Sequence, residues 1–140
     1  MIGKGDWDVL TRPKPLTGAN PAPFKHWIGG GGKVEPVPGD KDVFGDGRVV
    51  MLSTPGHTPG HRSLLVRLTG MGAVLISGDL AHFRENYEKS GVPGFNVNRA
   101  DTLASLDRFK QLAANLKATV ILQHDPRDIG KLPAFPAAAK

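Results

Sequence analysis

The chain has 140 residues, of which 39% are hydrophobic and 22% charged, and it carries a formal net charge of +5. It has no cysteine, which excludes disulfide bonds and thiolate chemistry, so any metal ion must be held by His, Asp or Glu. Basic residues never form a block of five, and no apolar run reaches the ~20 residues of a membrane span. We therefore expect no nucleic-acid partner and no membrane partner, and the lack of a signal segment predicts a cytoplasmic protein.

Residues 1–40 contain frequent proline and glycine, which interrupt regular structure. The clearest breakers are the prolines of 11–15 and 20–23 and the glycine quartet of 29–32. A compact domain rarely begins with so long an irregular stretch, so we interpret residues 1–40 as an irregular connecting segment that precedes a domain at 41–140. The three aromatic side chains of this segment indicate that parts of it still pack on a core.

Three β-rich runs follow at residues 48–53, 63–68 and 73–77, and their short links are typical of antiparallel neighbours. Asn98 then caps a helix, and residues 119–123 form a last buried strand before a non-regular tail at 132–136. The apolar residues of the helix recur at helical spacing: Leu103, Leu106, Phe109, Ala113 and Leu116. This order of elements predicts an α/β (α+β) fold.

Residues 54–61 read Thr-Pro-Gly-His-Thr-Pro-Gly-His and follow a predicted strand. A single histidine at a strand end more often makes a structural hydrogen bond. A repeated Pro-Gly-His frame, however, holds two imidazoles in a set geometry, which favours a functional role for them. Asp79 follows a buried strand, where a carboxylate must be paired, coordinated or used to cap its own turn. Strand ends thus present His57, Asp79 and His124, a ligand set suited to zinc or a similar divalent ion.

These residues resemble the later motifs of the metallo-β-lactamase superfamily. The carriers of the resemblance are the octet at 54–61, Gly78-Asp79 and Gln123-His124-Asp125. Residues 78–88 and the tail at 132–136 resemble one branch of this superfamily in particular, the N-acyl-homoserine lactonase-like branch. Its members open the lactone ring of quorum-sensing signals. The resemblance covers residues 33–140 and implies part of an αβ/βα sandwich, mainly the C-terminal sheet with its helix, so that residues 41–140 form the C-terminal half of such a domain.

The resemblance also assigns roles to individual residues. His57 and His124 match metal ligands, and Asp79 matches the catalytic carboxylate that bridges two metal ions. His61 matches a neighbouring, usually non-ligating histidine that supports the site. His82 stands where lactonases often carry a tyrosine that hydrogen-bonds the substrate, which implies a catalytic role for its imidazole. The implied enzyme is a zinc-dependent hydrolase with two Zn²⁺ per complete site, in which metal-activated hydroxide opens a small-molecule lactone or another acyl ester.

One family motif is missing from this chain. The signature His-X-His-X-Asp-His supplies four further ligands in the family, whereas the only histidine before His57 here is His26. The resemblance therefore implies a truncated form with three of seven ligands, a partial zinc site, and weak or absent activity of the chain alone. Half a sandwich also exposes an apolar sheet face, so we expect association with a second copy or with a complementing N-terminal half.

Other functions remain open at this point. A thioester hydrolase of the glyoxalase II type shares the octet, although residues 83–88 favour the lactonase branch. A metallo-nuclease would explain the positive charge but needs a clustered basic groove. A non-catalytic interaction or regulatory fragment is the alternative from a different class. Serine-triad hydrolysis is disfavoured because the sequence has no Gly-X-Ser-X-Gly elbow.

Overall fold

The computed structural model of the chain describes residues 1–14, 18–134 and 136–139. Its strands are β1 (Ile2–Gly3), β2 (Pro36–Val37), β3 (Lys41–Asp42), β4 (Val49–Ser53), β5 (Arg62–Leu68), β6 (Gly72–Ile76) and β7 (Thr119–Ile121). Its α-helices are α1 (Lys4–Leu10), α2 (Lys25–Ile28), α3 (Arg84–Lys89) and α4 (Arg99–Leu116). Short 3₁₀ turns lie at Ala22–Phe24, Gly78–Leu80 and Pro126–Lys131.

A five-stranded sheet in the order β3-β4-β5-β6-β7 forms the centre of the described structure. Strands β3 to β6 pair antiparallel, whereas β7 pairs parallel to β6. The parallel pair requires a long crossover, and the chain provides it as α3 and α4 between β6 and β7. Strands β4, β5, β6 and β7 confirm the predicted strands, with ends that differ by one or two residues.

Helix α4 packs its apolar face on one side of this sheet. The strand register places Leu52, Leu65 and Leu75 on that side, and each is at most 4% exposed. Leu106 and Phe109 of α4 belong to the same cluster and are 1% exposed. The helical spacing of apolar residues therefore predicted the buried face of α4 correctly.

The other face of the sheet is apolar but less completely buried. Side chains alternate between the two faces of a strand, so Met51, Leu64, Val66 and Ile76 point away from α4. All four are half-buried. One face of the sheet is thus sealed by α4, and the opposite face keeps partly exposed apolar surface.

The N-terminal segment contains more regular structure than its breakers predicted. Helix α1 spans seven residues of the segment that we expected to be irregular, while the division of the chain at residue 40 stays a prediction. Contacts distant in sequence stabilise α1, since the Asp6 carboxylate accepts hydrogen bonds from the Thr58 hydroxyl at 2.9 Å and the Gly60 N–H at 2.7 Å. Gly3 permits this approach, because a Cβ there would lie 1.8 Å from the Gly60 carbonyl oxygen.

The predicted tail at 132–136 contains no helix or strand among its described residues. Phe135 of that tail, and Pro15 of the 11–15 stretch, lie outside the described residues. In the described part of the chain, no helix combines the length and the apolarity that crossing a bilayer requires.

Candidate metal centre

Three loops leave the same edge of the five-stranded sheet. Strands β4 and β6 run in the same direction because each is antiparallel to β5 between them, and β7 runs parallel to β6. Their carboxyl ends therefore lie at the same edge of the sheet, and the loops that follow them carry His57, Asp79 and His124. The sheet topology itself brings the three predicted ligands together.

Asp79 lies at the centre of this cluster. Its Oδ1 is 2.6 Å from His124 Nε2 and 3.9 Å from His82 Nε2, and its Oδ2 is 3.5 Å from His57 Nε2. The two carboxylate oxygens thus face different imidazoles. A carboxylate placed in this way can offer each oxygen to a different cation.

His82 lies inside the donor cluster as well. Three donor atoms lie within 4.8 Å of one another, one each from Asp79, His82 and His124. The His82 ring stacks on the His124 ring with centroids 4.9 Å apart, and its centroid is 5.8 Å from that of His57. Sequence reasoning assigned His82 to substrate binding, and its proximity to the other donors makes it a further candidate ligand.

The surroundings shift the pKa of two members of the cluster, Asp79 and His82. Burial raises the pKa of the Asp79 carboxyl, but the hydrogen bond with His124 and the nearby charges of His57 and His124 outweigh burial, so the net pKa lies below its ordinary value. Burial, the largest cause, lowers the pKa of the His82 imidazole. An ionised carboxylate and neutral imidazoles are the forms that bind divalent cations.

His61 supports Asp79 from behind. The imidazole is 8% exposed, and burial lowers its pKa, which keeps it neutral. Its Nε2 accepts the backbone N–H of Asp79 at 2.9 Å, so the proton must be on Nδ1, which donates to the Thr54 carbonyl at 3.0 Å. Both ring nitrogens are therefore occupied by protein groups, and the role of His61 as a non-ligating, supporting histidine stays a prediction.

The buried carboxylate of Asp125 ties together the segments that follow Asp79 and His124. The carboxylate of Asp125 is 1% exposed and accepts the backbone N–H of Arg84 at 2.9 Å and the Nε–H of Arg127 at 2.8 Å. The hydrogen bonds from Arg127 hold the pKa of Asp125 well below its usual range. Sequence reasoning treated Asp125 only as part of a motif, whereas its contacts fix one ligand loop against the other.

Two other contacts to the site carried no sequence signal. Asn96 Oδ1 lies 3.1 Å from His57 Nδ1, and the carboxylate of Asp6 holds the turn at Thr58 and Gly60. A loop asparagine and an aspartate in a short helix are common at surfaces. Their roles follow only from partners that are distant in sequence.

The donor spacing fits zinc. Two donors on one tetrahedral zinc ion, each about 2.0–2.1 Å from it, lie about 3.3 Å apart. The 3.5 Å between His57 Nε2 and Asp79 Oδ2 matches this spacing, whereas the 2.6 Å hydrogen bond between His124 and Asp79 must lengthen to admit an ion. The Nδ1 of His82 is buried and makes no hydrogen bond within the described part of the chain.

An apolar cavity of about 450 Å³ adjoins the cluster. Its wall includes His57 and these apolar side chains: Ile2, Val9, Leu10, Phe24, Phe95 and Val97. The cavity thus has one polar, donor-bearing wall and a larger hydrocarbon wall.

A family model described as the metallo-beta-lactamase superfamily matches residues 5–124, which include all four donors of the cluster. The chain belongs to this superfamily. The predicted family and the predicted partial fold are both confirmed.

Relatives named as N-acyl homoserine lactonases match part of this chain. The N-acyl homoserine lactonase AttM of Rhizobium radiobacter is 41% identical over 85 residues, which are 61% of this chain and 32% of that protein. An N-acyl homoserine lactonase of Bacillus sp is 38% identical over 89 residues, 61% of this chain and 35% of that protein. The chain spans about a third of the length of these relatives.

Solved structures extend the likeness to nearly the whole chain. An N-acyl homoserine lactone hydrolase, with the product N-hexanoyl-L-homoserine bound at its catalytic metal centre, superposes with a TM-score of 0.78 at 25% identity. The superposition covers 97% of this chain and 50% of that one. The fold of the chain is thus half of a metallo-β-lactamase sandwich.

Proposed function

We propose that this chain carries the C-terminal part of the active site of a zinc-dependent hydrolase that opens N-acyl-homoserine lactones. The supporting observation is the position of Asp79, whose two oxygens face different imidazoles at the edge where three strands end. The lactonase activity of the relatives supports the choice of reaction.

Different side chains bind the metal and the substrate in this proposal. His57, Asp79 and His124 hold the metal, and Asp79 also orients the water that attacks the lactone carbonyl. His82 presents Nε2–H to the substrate oxygen, a role available to a neutral imidazole. When bound, zinc supplies Lewis acidity and acidifies water.

The cavity beside His57 supports an acyl substrate. Its hydrocarbon wall can bury an acyl chain while the lactone ring reaches the donor cluster. A volume of about 450 Å³ suits a ligand of small-molecule size.

The chain by itself is a weak catalyst in this proposal. Three protein donors divided between two ions leave each ion mostly hydrated, so affinity and turnover are low. The half-buried sheet face opposite α4 also supports association, with a second copy or with a complementing N-terminal half.

Hydrolysis measured on the purified chain with added Zn²⁺ tests this function. We expect slow ring opening of N-hexanoyl-homoserine lactone in a pH-stat, lost in D79N and retained in D8N. Asp8 is a matched exposed carboxylate that accepts a hydrogen bond from Lys4. Hydrolysis of a glutathione thioester in place of the lactone would assign the chain to the glyoxalase II type. Nanomolar zinc affinity with fast turnover would contradict the expected weakness of the isolated chain.

A non-catalytic interaction fragment is the second candidate, and the half-buried sheet face favours it. In that case neither ester is hydrolysed above the D79N background. Sedimentation then detects association that depends on the residues of this face.

A further inference from the structure

The ring of His57 is held by a hydrogen bond to a residue outside the donor cluster. His57 Nδ1 lies 3.1 Å from Oδ1 of Asn96, in the loop between α3 and α4. Hydrogen bonds also join the two backbones, from Val97 N–H to the His57 carbonyl at 3.2 Å and from Asn98 N–H to the Gly56 carbonyl at 2.9 Å. The loop that carries His57 and the loop that carries Asn96 are thus docked as one unit.

Thr102 decides which way the Asn96 amide points. The Thr102 hydroxyl donates its only proton to the Asn98 carbonyl at 2.7 Å, so its oxygen can only accept from Asn96 Nδ2, which lies 3.1 Å away. The amide nitrogen therefore faces Thr102, and the amide oxygen faces His57. Thr102 is fully buried in the first turn of α4, where water cannot replace these partners.

This orientation determines the tautomer of His57. An amide oxygen can only accept, so the proton of the neutral ring must be on Nδ1. The lone pair is then left on Nε2, the nitrogen that faces Asp79 Oδ2 at 3.5 Å. A free imidazole side chain in water prefers its proton on Nε2, so the protein reverses the preference of the ring.

We infer that Asn96, oriented by Thr102, is a positioning residue that selects the metal-binding tautomer of His57. A hydrogen bond to the far nitrogen of a ligating histidine fixes the tautomer and the plane of the ring. The value of that tautomer for metal binding rests on the proposed zinc site. The tautomer itself is a property of the metal-free chain.

Gly56 allows the loop before His57 to pack closely against Thr102. Its φ is +136°, and a Cβ there would lie 2.3 Å from the Thr102 hydroxyl oxygen. The loop before His57 therefore rests directly on the residue that orients Asn96. A small change at Thr102 therefore affects both the Asn96 amide and the loop that carries His57.

Long-range ¹H–¹⁵N NMR of the metal-free, histidine-labelled chain tests the inference on the neutral imidazole. In the wild-type chain we expect His57 to carry its proton on Nδ1. In N96A the proton moves predominantly to Nε2, whereas N96D, which still accepts a hydrogen bond, keeps it on Nδ1. N115A, a substitution of an exposed asparagine on α4, serves as the matched control and leaves the spectrum unchanged.

Zinc titration of the same variants gives a second readout. We expect the Zn²⁺ affinity of N96A to fall about 10- to 100-fold, with N96D and N115A close to wild type. If N96A does not fold, T102V provides the same test, because it removes the hydroxyl that orients the amide, with T102S as its rescue.

Two results would overturn the inference. One is a wild-type His57 with its proton on Nε2. The other is an N96A or T102V chain that is folded and still carries the proton on Nδ1. Absence of lactone hydrolysis, combined with the expected tautomers, counts against the proposed function and supports the role of Asn96.

Discussion

Gly78 lies between the strand that precedes the metal centre and the carboxylate at its middle. Its φ is +58°, and a Cβ at this position would lie 2.7 Å from His61 Nε2 and 2.9 Å from the Arg62 carbonyl oxygen. The substitution G78A therefore has two costs. It places a side chain in the left-handed region, and it crowds the ring that accepts the Asp79 N–H.

The free-energy cost of the left-handed backbone can be separated from the cost of crowding with a control substitution in the same sheet. Gly72 has a φ of +73°, and a Cβ added there would meet no atom within 4 Å, so G72A incurs only the left-handed cost of about 1–2 kcal/mol. Crowding in a packed site adds about 1–3 kcal/mol. We therefore expect G78A to reduce the free energy of unfolding by about 2–5 kcal/mol, clearly more than G72A.

Urea denaturation followed by circular dichroism measures both variants, and zinc titration shows whether the site is affected. We expect weaker zinc binding in G78A alone, because a displaced His61 releases the backbone of Asp79. Equal destabilisation by G78A and G72A, with unchanged zinc affinity in both, would refute the reasoning that His61 holds Asp79 in place.

Three further predictions concern other parts of the site. H82F should lower lactone turnover and leave zinc affinity unchanged, measured by pH-stat and calorimetry; a loss of zinc affinity would make His82 a ligand. D6A should reduce the free energy of unfolding by about 1–2 kcal/mol through two lost hydrogen bonds to the loop of His57, with D8A unchanged in urea denaturation. For Asp128, burial raises the pKa, but Lys131, the Leu122 N–H and Arg84 outweigh it, so the net pKa lies below the ordinary value of 3.8. Its stabilisation is present above that value and is lost as the pH falls further, so D128N should show a smaller loss of stability than wild type between pH 5 and 2.

The central sheet and α4 were predictable because local patterns determine them. Their β-rich composition and short links identified β4, β5 and β6, and the Asn98 cap identified the start of α4, where its side chain accepts the Asp101 N–H at 3.0 Å. The convergence of His57, Asp79 and His124 was also accessible, since polar residues that follow strands of one direction lie at one edge.

The remaining features depend on contacts between distant parts of the chain. Helix α1 has only seven residues and contains Gly5, so propensity alone does not predict it; its contacts to Thr58 and Gly60 stabilise it. The role of Asn96 depends on Thr102 and on a ring 39 residues away. No periodicity or motif records such partners.

In the proposed function, the strand-end imidazoles and Asp79 bind one shared metal centre. Anomalous scattering at the zinc edge, from crystals of the chain grown with Zn²⁺, shows whether they do. We predict an anomalous peak about 2.0–2.2 Å from donor atoms of Asp79 and of His57 or His124. A peak bound elsewhere, for example at His26, with none at Asp79 would contradict the account.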